Sequence, residues 1–400
     1  MLIAALSGML FATGTPPGIE LLGTSRIPGD AKDLSGLTDT LSEGTPHNRL
    51  GSFGSGIAYA GSGHRYIAIN DRGPADGASE FIARFQTLDV AVSTSGVEAT
   101  LVSTTLLTRP SGVPLVGSLN GPPRLRYDAE AVRVSPFGTL WIAEEYGPRI
   151  DEFAADGRLI RGLDIPTRYR AQRHSHDTKL ELPPHVSQGR QPNRSFEGLA
   201  ISPDGAALTA ILQGPLVQDG ALNQSGKRVG VNVRMLQVDT RTGVTRDFVY
   251  VMEAPDRGIS EILAINDHEF LVLERDGKAG AAAKHRAIYH IDTLGATDVS
   301  EVLSLPARGL PENIVPSQKR LFLDLMDPRF GLAGPSMPEK IEGLAFGPDL
   351  PDSRHVLLVA VDNDMMPAVP NTIWAFGIEA NLLPGFVRQA FSPEVTTESR

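Results

Sequence analysis

Glutamate opens four of five similar segments in this 400-residue chain, and acidic residues stand at the end of the second apolar run in four of the five. The segments begin at Ser55 (SGIAYAGSGHRYIAINDRGP), Glu130 (EAVRVSPFGTLWIAEEYGP), Glu197 (EGLAISPDGAALTAILQGPL), Glu261 (EILAINDHEFLVLERDGK) and Glu342 (EGLAFGPDLPDSRHVLLVAVDND). Behind the openings stand Asp71, Glu144, Glu145, Glu274 and Asp362, with Asp128 and Asn363 alongside. Carboxylates converging on one axis repel one another unless they are protonated or bridged by a cation. Hard oxygen donors of this kind suit Ca²⁺ better than a soft metal. The candidate ligands are Glu130, Glu197, Glu261, Glu342, Asp71 and Asp362. The competing reading is architectural, with each glutamate only accepting backbone N–H bonds from a neighbouring unit.

Basic residues interleave with these acids. Arg72 follows Asp71, Arg275 follows Glu274, Arg194 lies three before Glu197, Lys340 two before Glu342, and Arg49 precedes Ser55. Alternating cations and acids could hold a phosphate or carboxylate through arginine forks while a metal takes the remaining oxygens. The corresponding chemistry is hydrolysis: the metal polarises an ester and acidifies a water, a carboxylate takes the proton, and arginine stabilises the developing charge. The catalytic candidates are Glu130, Glu145, Arg72 and Arg194. The plainer reading of each arginine is that it neutralises the acid beside it.

Other reaction signatures are missing. There is no G-x-S-x-G elbow, H-E-x-x-H helix, Walker A loop or EF-hand, which disfavours a serine hydrolase. His174 and His176 read as loop histidines, Trp141 and Trp374 as packing residues on strands, and Met365, Met366 and Pro367 as an apolar lip.

The elements that must position these residues follow from the repeat. Successive segments start 75, 67, 64 and 81 residues apart, a spacing that fits four-stranded blades with large loops. In the second repeat, strands are expected at 131–134, 140–143, 149–153 and 159–165, with turns at Ser135-Pro136-Phe137-Gly138 and Ala155-Asp156-Gly157. The third places strands at 231–238 and 244–251. The fourth places them at 287–291 and 299–305 around Thr293-Leu294-Gly295. In the fifth, residues 372–377 form a third strand, and the fourth comes either from around Val387 or from residues 19–27. An N-terminal strand there would close the ring and remove its exposed edges. The expected fold is all-β, a β-propeller of five four-stranded blades, six being possible, closed by N- and C-terminal strands.

The 41 glycines and 30 prolines punctuate many short strands, and long amphipathic helical patterns are missing, in keeping with an all-β chain. The expected organisation is one propeller over residues 19–400, preceded by residues 1–18 as an export signal or disordered tail. An apolar run over 2–12 followed by Gly and Pro resembles an export core, too short to span a bilayer, but no basic residue precedes it and no A-x-A site follows. Without cysteine there is no disulfide, zinc-thiolate site or thiol nucleophile. A net charge of −10 argues against nucleic acid as partner, since that affinity rests on Lys and Arg meeting phosphates.

Loop lengths pick out one face. Connections after second and fourth strands run long, at 71–79, 213–228, 274–286, 109–127, 166–196 and 306–341, and in an up-and-down blade both kinds lie on the same side. Binding residues tend to sit on such loops above a rigid scaffold.

The strings INDRGP, DAEAVRVSPFGTLWIAEEYGP, NRSFEGLAISPDG with LQGPL, and KIEGLAFGPDLPDSR with VAVDND resemble the phytase-like family, described as having an esterase-like activity of phytase. The resemblance runs from about Leu34 to the end of the fifth repeat. It implies a β-propeller, often exported and bacterial, related in name to calcium-dependent propeller phytases that hydrolyse phosphate esters. It carries no set of catalytic residues onto this chain. Two functional readings stand. One is a metal-dependent, calcium-using hydrolase of phosphate or related esters, acting on a small anionic substrate in the periplasm or outside the cell, as a monomer without stable membrane insertion. The other is a non-enzymatic ligand- or protein-binding propeller with a structural calcium.

Overall fold

The computed structural model describes residues 14–175 and 177–392. Most of the candidate export segment, and His176, fall outside the described residues. Among the described residues, twenty strands form five antiparallel four-stranded sheets. Blade one holds β2 (Gly56–Tyr59), β3 (Arg65–Ile69), β4 (Arg84–Ser93) and β5 (Gly96–Leu106). Blade two holds β6 (Ala129–Val134), β7 (Leu140–Glu144), β8 (Arg149–Phe153) and β9 (Leu159–Gly162). Blade three holds β10 (Phe196–Ile201), β11 (Ala207–Leu212), β12 (Asn232–Asp239) and β13 (Thr245–Val251). Blade four holds β14 (Arg257–Ala264), β15 (Glu269–Asp276), β16 (Arg286–Asp292) and β17 (Gln318–Asp324). Blade five holds β18 (Ile341–Phe346), β19 (His355–Val361), β20 (Asn371–Ile378) and, as its outer strand, β1 (Ile19–Ile27).

The ring closes as expected. Ile19 pairs with Ile378 at one end of the β1–β20 ladder and Ile27 with Asn371 at the other, so the N-terminal strand covers an edge that would otherwise invite pairing with another chain. Thr15 anchors the approach, its hydroxyl accepting the Asp324 amide at 2.8 Å. Val387 is not in a strand: its amide donates to the Ile265 carbonyl at 2.9 Å. Beyond it, Ala390 and Ser392 donate to the Pro203 and Pro136 carbonyls. The C-terminal segment thus straps the turns between first and second strands, across the end of the channel opposite the long loops. No helix among the described residues is long and apolar enough to cross a membrane.

The fourth strand of blade four departs from expectation. It is Gln318–Asp324, not residues 299–305. Val299 instead donates its amide to Asp247 of β13 at 2.8 Å and packs with Val249, Leu305 and Ile314. The apolar residues at 299–305 cover the outer strand of blade three rather than extend blade four, so apolar content there did not mark a strand.

Inner strands β2, β6, β10, β14 and β18 neighbour one another around the axis, and all of β6 and β10 is buried. They approach closely: a Cβ at Gly198 would sit 2.6 Å from the Ile262 amide nitrogen. At the opposite ends, tight turns reverse the chain, as at Ser202–Gly205, where Gly205 takes φ +73°, a conformation that costs glycine little.

Candidate functional site

A bulge recurs at the start of each of the inner strands of blades two to five. The ladder slips between Ala129 and Ala131, between Phe196 and Gly198, between Ile259 and Glu261, and between Ile341 and Gly343. The extra residues are Glu130, Glu197, Ser260 and Glu342; in blade one, Ser55 stands in the same place, between Gly54 and Gly56, which both bridge Ile69. Bulges re-aim a side chain, here toward the mouth of the channel. On the second strands, the residue after the last rung facing each bulge is Asn70, Glu145, Gln213, Arg275 and Asp362 respectively. In blades three and four the two residues are hydrogen-bonded to each other. Gln213 Nε2 donates to Glu197 Oε1 at 2.5 Å, and Arg275 Nε to Ser260 Oγ at 2.9 Å.

Glu261 is therefore one residue out of register with the other three glutamates, and a one-residue slip turns a side chain to another face. It lies deeper in the channel, fully buried, with Oε2 2.9 Å from Arg133 Nη2. Its Oε1 accepts the Leu199 and Ile262 amides at 3.1 and 2.9 Å, the architectural role. Burial pushes its carboxyl up to about 7, against the pull of Arg133. Glu144 and Glu274 also face away from the mouth, toward Arg149 at 2.8 Å and toward Lys319 at 3.0 Å.

At the mouth, the carboxylates fall into two groups, Asp128–Glu130–Glu145 and Asp71–Asp362–Asp364, each with ligand oxygens within 4.8 Å of one another. Arg72 reaches the first: Nη1 lies 2.5 Å from Asp128 and 3.4 Å from Glu145, while Nη2 holds Asp76 at 2.6 Å. Glu145 Oε1 also accepts the Ser195 amide at 2.8 Å. Glu130 is buried, yet among the described residues its carboxylate has no ion-pair or hydrogen-bond partner. Burial, then Asp128 and Glu197, hold its carboxyl well above the usual range. Burial and Asp128 push Glu145 up to about 7, with Arg72 opposing. Burial and Glu145 raise Glu197 likewise. Glu342 pairs with Arg275 at 2.6 Å. In the second group, burial and Asp362 push Asp71 up to about 8.

The positive side of the mouth comes from blades three and four. A groove of about 820 Å³ is lined by Arg194, Arg228, Arg257, Arg275, Lys278 and Lys340, among others. Arg194 donates only to the carbonyls of Gln213 and Arg257, at 3.2 and 2.5 Å, and its Nε has no acceptor. It makes no ion pair among the described residues, and burial, with Arg228 near, lowers its guanidinium to about 9. The expected alternation of acids and bases is thus sorted into an acidic side and a basic side. Ser52, Ala75, Asp76, Asn193, Asp364 and Met365 adopt left-handed φ between 51° and 56°. All six lie on the loops of this face, and such backbone cost tends to collect at functional sites.

The family model described as phytase-like, esterase-like activity of phytase, matches residues 48–365, a span containing both acidic groups and the basic groove. The chain belongs to the phytase-like family. A phytase-like propeller of this kind is similar to an uncharacterized secreted protein of Arthroderma benhamiae, 26% identical over 366 residues that cover 71% of this chain and 69% of the relative. Among solved structures, a calcium-binding protein, regucalcin, from Agrobacterium tumefaciens is 12% identical with a TM-score of 0.38, covering 92% of this chain and 98% of its own. A gluconolactonase from Xanthomonas campestris is 12% identical with a TM-score of 0.33, covering 88% and 97%. Likeness at this level carries no functional argument.

The structure brings Glu130 and Glu145 together, and Asp71 with Asp362, while Glu197 and Glu342 sit between acid and base. Sequence reasoning left Asp128 beside the site and did not see Asp364, Gln213 or Arg257. Asp128 was signalled by DAEA, two residues before Glu130, and Asp364 by the DND string after β19.

Proposed function

We propose that this propeller is a cation-dependent hydrolase of phosphate esters or related anionic esters, acting at the channel mouth. The observation that carries this reading is Glu130, a buried residue whose carboxylate has no hydrogen-bond or ion-pair partner among the described residues, placed beside Asp128 and Glu145. Three carboxylates in reach of one point are a donor set for a hard cation such as Ca²⁺. Asp128 and Glu130 would hold it. When bound, the cation would polarise the ester oxygen and acidify a water. Glu145, raised to about 7 by burial and Asp128 in the cation-free site, would be ionised beside the cation and placed to take the water's proton. Arg194 is a buried cation without an acid of its own, which suits it to an anionic substrate group. Arg72 fixes Asp128 and Glu145 and can share charge with the reacting group.

The secreted relative supports export to the periplasm or the outside. The test compares wild type with Glu130→Gln and Arg194→Met on small phosphate monoesters. Both should fold and both should lose turnover, Glu130→Gln by roughly 100-fold or more. Wild-type turnover on these esters with undiminished activity of both variants would move the chemistry elsewhere.

A further inference from the structure

The second acidic group already contains a cation. Lys340 Nζ lies 3.3 Å from Asp362 Oδ2 and 3.6 Å from Asp71 Oδ2, and it pairs with Asp364 Oδ1. Its ammonium donates to Asp362 and stands within ion-pair range of Asp71 and Asp364. The carboxylates are held for this occupant by their other contacts. Asp71 Oδ1 accepts the Gly73 amide at 2.9 Å. Asp362 Oδ1 accepts the Ser52 hydroxyl and the Asp364 amide, each at 2.7 Å. Each of these two carboxylates thus turns one oxygen outward to a fixed donor and the other inward to Lys340, the arrangement that outer partners impose on ligands around a metal. The lysine comes from the residue two before bulged Glu342, and its carbonyl accepts the Asp362 amide at 3.0 Å, so its backbone is tied to the strand end that supplies Asp362.

The first group differs in the feature that matters. Arg72 pairs with Asp128 and Glu145, at 2.5 and 3.4 Å, while among the described residues Glu130 has no partner. One group is therefore filled and the other incomplete. We propose that Lys340 is a tethered second cation: the protein takes one divalent ion, at Asp128–Glu130–Glu145, and Lys340 stands where a second would bind, at Asp71–Asp362–Asp364. Because Lys340 belongs to the chain, its ammonium fills the site without an association cost, and a free divalent ion could enter only by displacing it. Lys340 also lines the basic groove with Arg275 and Lys278. The proposal rests on the cation reading above for its first site but not for its second.

The experiment counts bound calcium after equilibrium dialysis of wild type, Lys340→Met, Lys340→Gln and Lys340→Met with Asp364→Asn, with circular dichroism confirming each fold. The expected counts are one equivalent for wild type, two for each Lys340 variant, and one again when Asp364 is also neutralised. Two equivalents in wild type, or an unchanged count in both Lys340 variants, overturns the proposal. Zero in wild type with one in Lys340→Met would sink the cation at Asp128–Glu130–Glu145 and leave the role of Lys340 standing. Should Lys340→Met fail to fold without calcium, Lys340→Gln and the wild-type count decide between the same outcomes.

Discussion

Arg133 and Glu261 meet across the channel, Nη2 to Oε2 at 2.9 Å, and each breaks the pattern of its position. Where Glu261 stands, the other inner strands carry Gly56, Ala131, Gly198 and Gly343. Where Arg133 stands, they carry Ala58, Ala200, Leu263 and Ala345. Arg133 also donates to the carbonyls of Ile57, Val132 and Ile262, at 3.0, 2.7 and 2.9 Å. One side chain therefore ties blades one, two and four beneath the acidic mouth.

Removing one partner leaves the other buried and uncompensated, at a cost of about 3 to 5 kcal/mol. Chemical denaturation of Arg133→Met should show such a loss, and the double change to Arg133→Met with Glu261→Met should recover most of it. Equal losses in single and double variants would mean that the pair is not the reason.

Closure by β1 has its own expectation. Deleting residues 19–27 exposes the β20 edge and removes the burial of Ile19 and Leu22, on the order of 3 to 6 kcal/mol together. The truncated protein should melt lower and aggregate. An unchanged thermal transition would contradict the closure.

Five blades and their N-terminal closure were legible in the sequence because each inner strand reads as a small and branched apolar run that ends in a tight turn. The charge arrangement was only half legible. Glu261 aligns by eye with Glu130, Glu197 and Glu342, yet the bulge that aims those three at the mouth puts Ser260 in the fourth blade's place. A bulge shifts facing without changing residue types, so no spacing in the sequence reveals it. Residues 299–305 misled for a different reason: an apolar run can serve as cover for a neighbouring blade as well as a rung of its own. Lys340 was visible as an acid-neutralising neighbour, but its insertion among three aspartates depends on loops brought together from blades one and five.

Stability should fall as pH rises in cation-free protein. Asp71 is pushed up to about 8 by burial and Asp362, and Glu145 to about 7 by burial and Asp128. Unfolded carboxyls titrate near 4, so the native state binds these protons more tightly. The stabilisation is complete below about pH 4 and is lost as pH rises through 7 to 8. Each group contributes a slope of about 1.4 kcal/mol per pH unit within that window. Melting curves from pH 5 to 9 with chelator should show the decline, and excess calcium, which binds the ionised form, should flatten it. A flat profile in chelator would contradict the protonated, buried carboxyls.

Glu130 and Glu261 should separate in their response to calcium. Wild type should gain about 2.7 kcal/mol at a hundredfold excess of calcium over Kd. Glu130→Gln should abolish this gain, whereas Glu261→Gln should lower stability and keep it. Loss of the gain in Glu261→Gln alone would reverse the two roles assigned to these residues.

The most direct test of the account is phosphate release from small phosphate monoesters by the purified protein, followed with calcium and then with excess chelator. The account predicts turnover that needs the cation, returns on adding it back, and has an acidic limb lying below the cation-free value of about 7 for Glu145, because a bound cation favours the ionised carboxylate. Calcium-loaded protein that binds the ion at the mouth yet turns over neither phosphate monoesters nor carboxylic esters would contradict it.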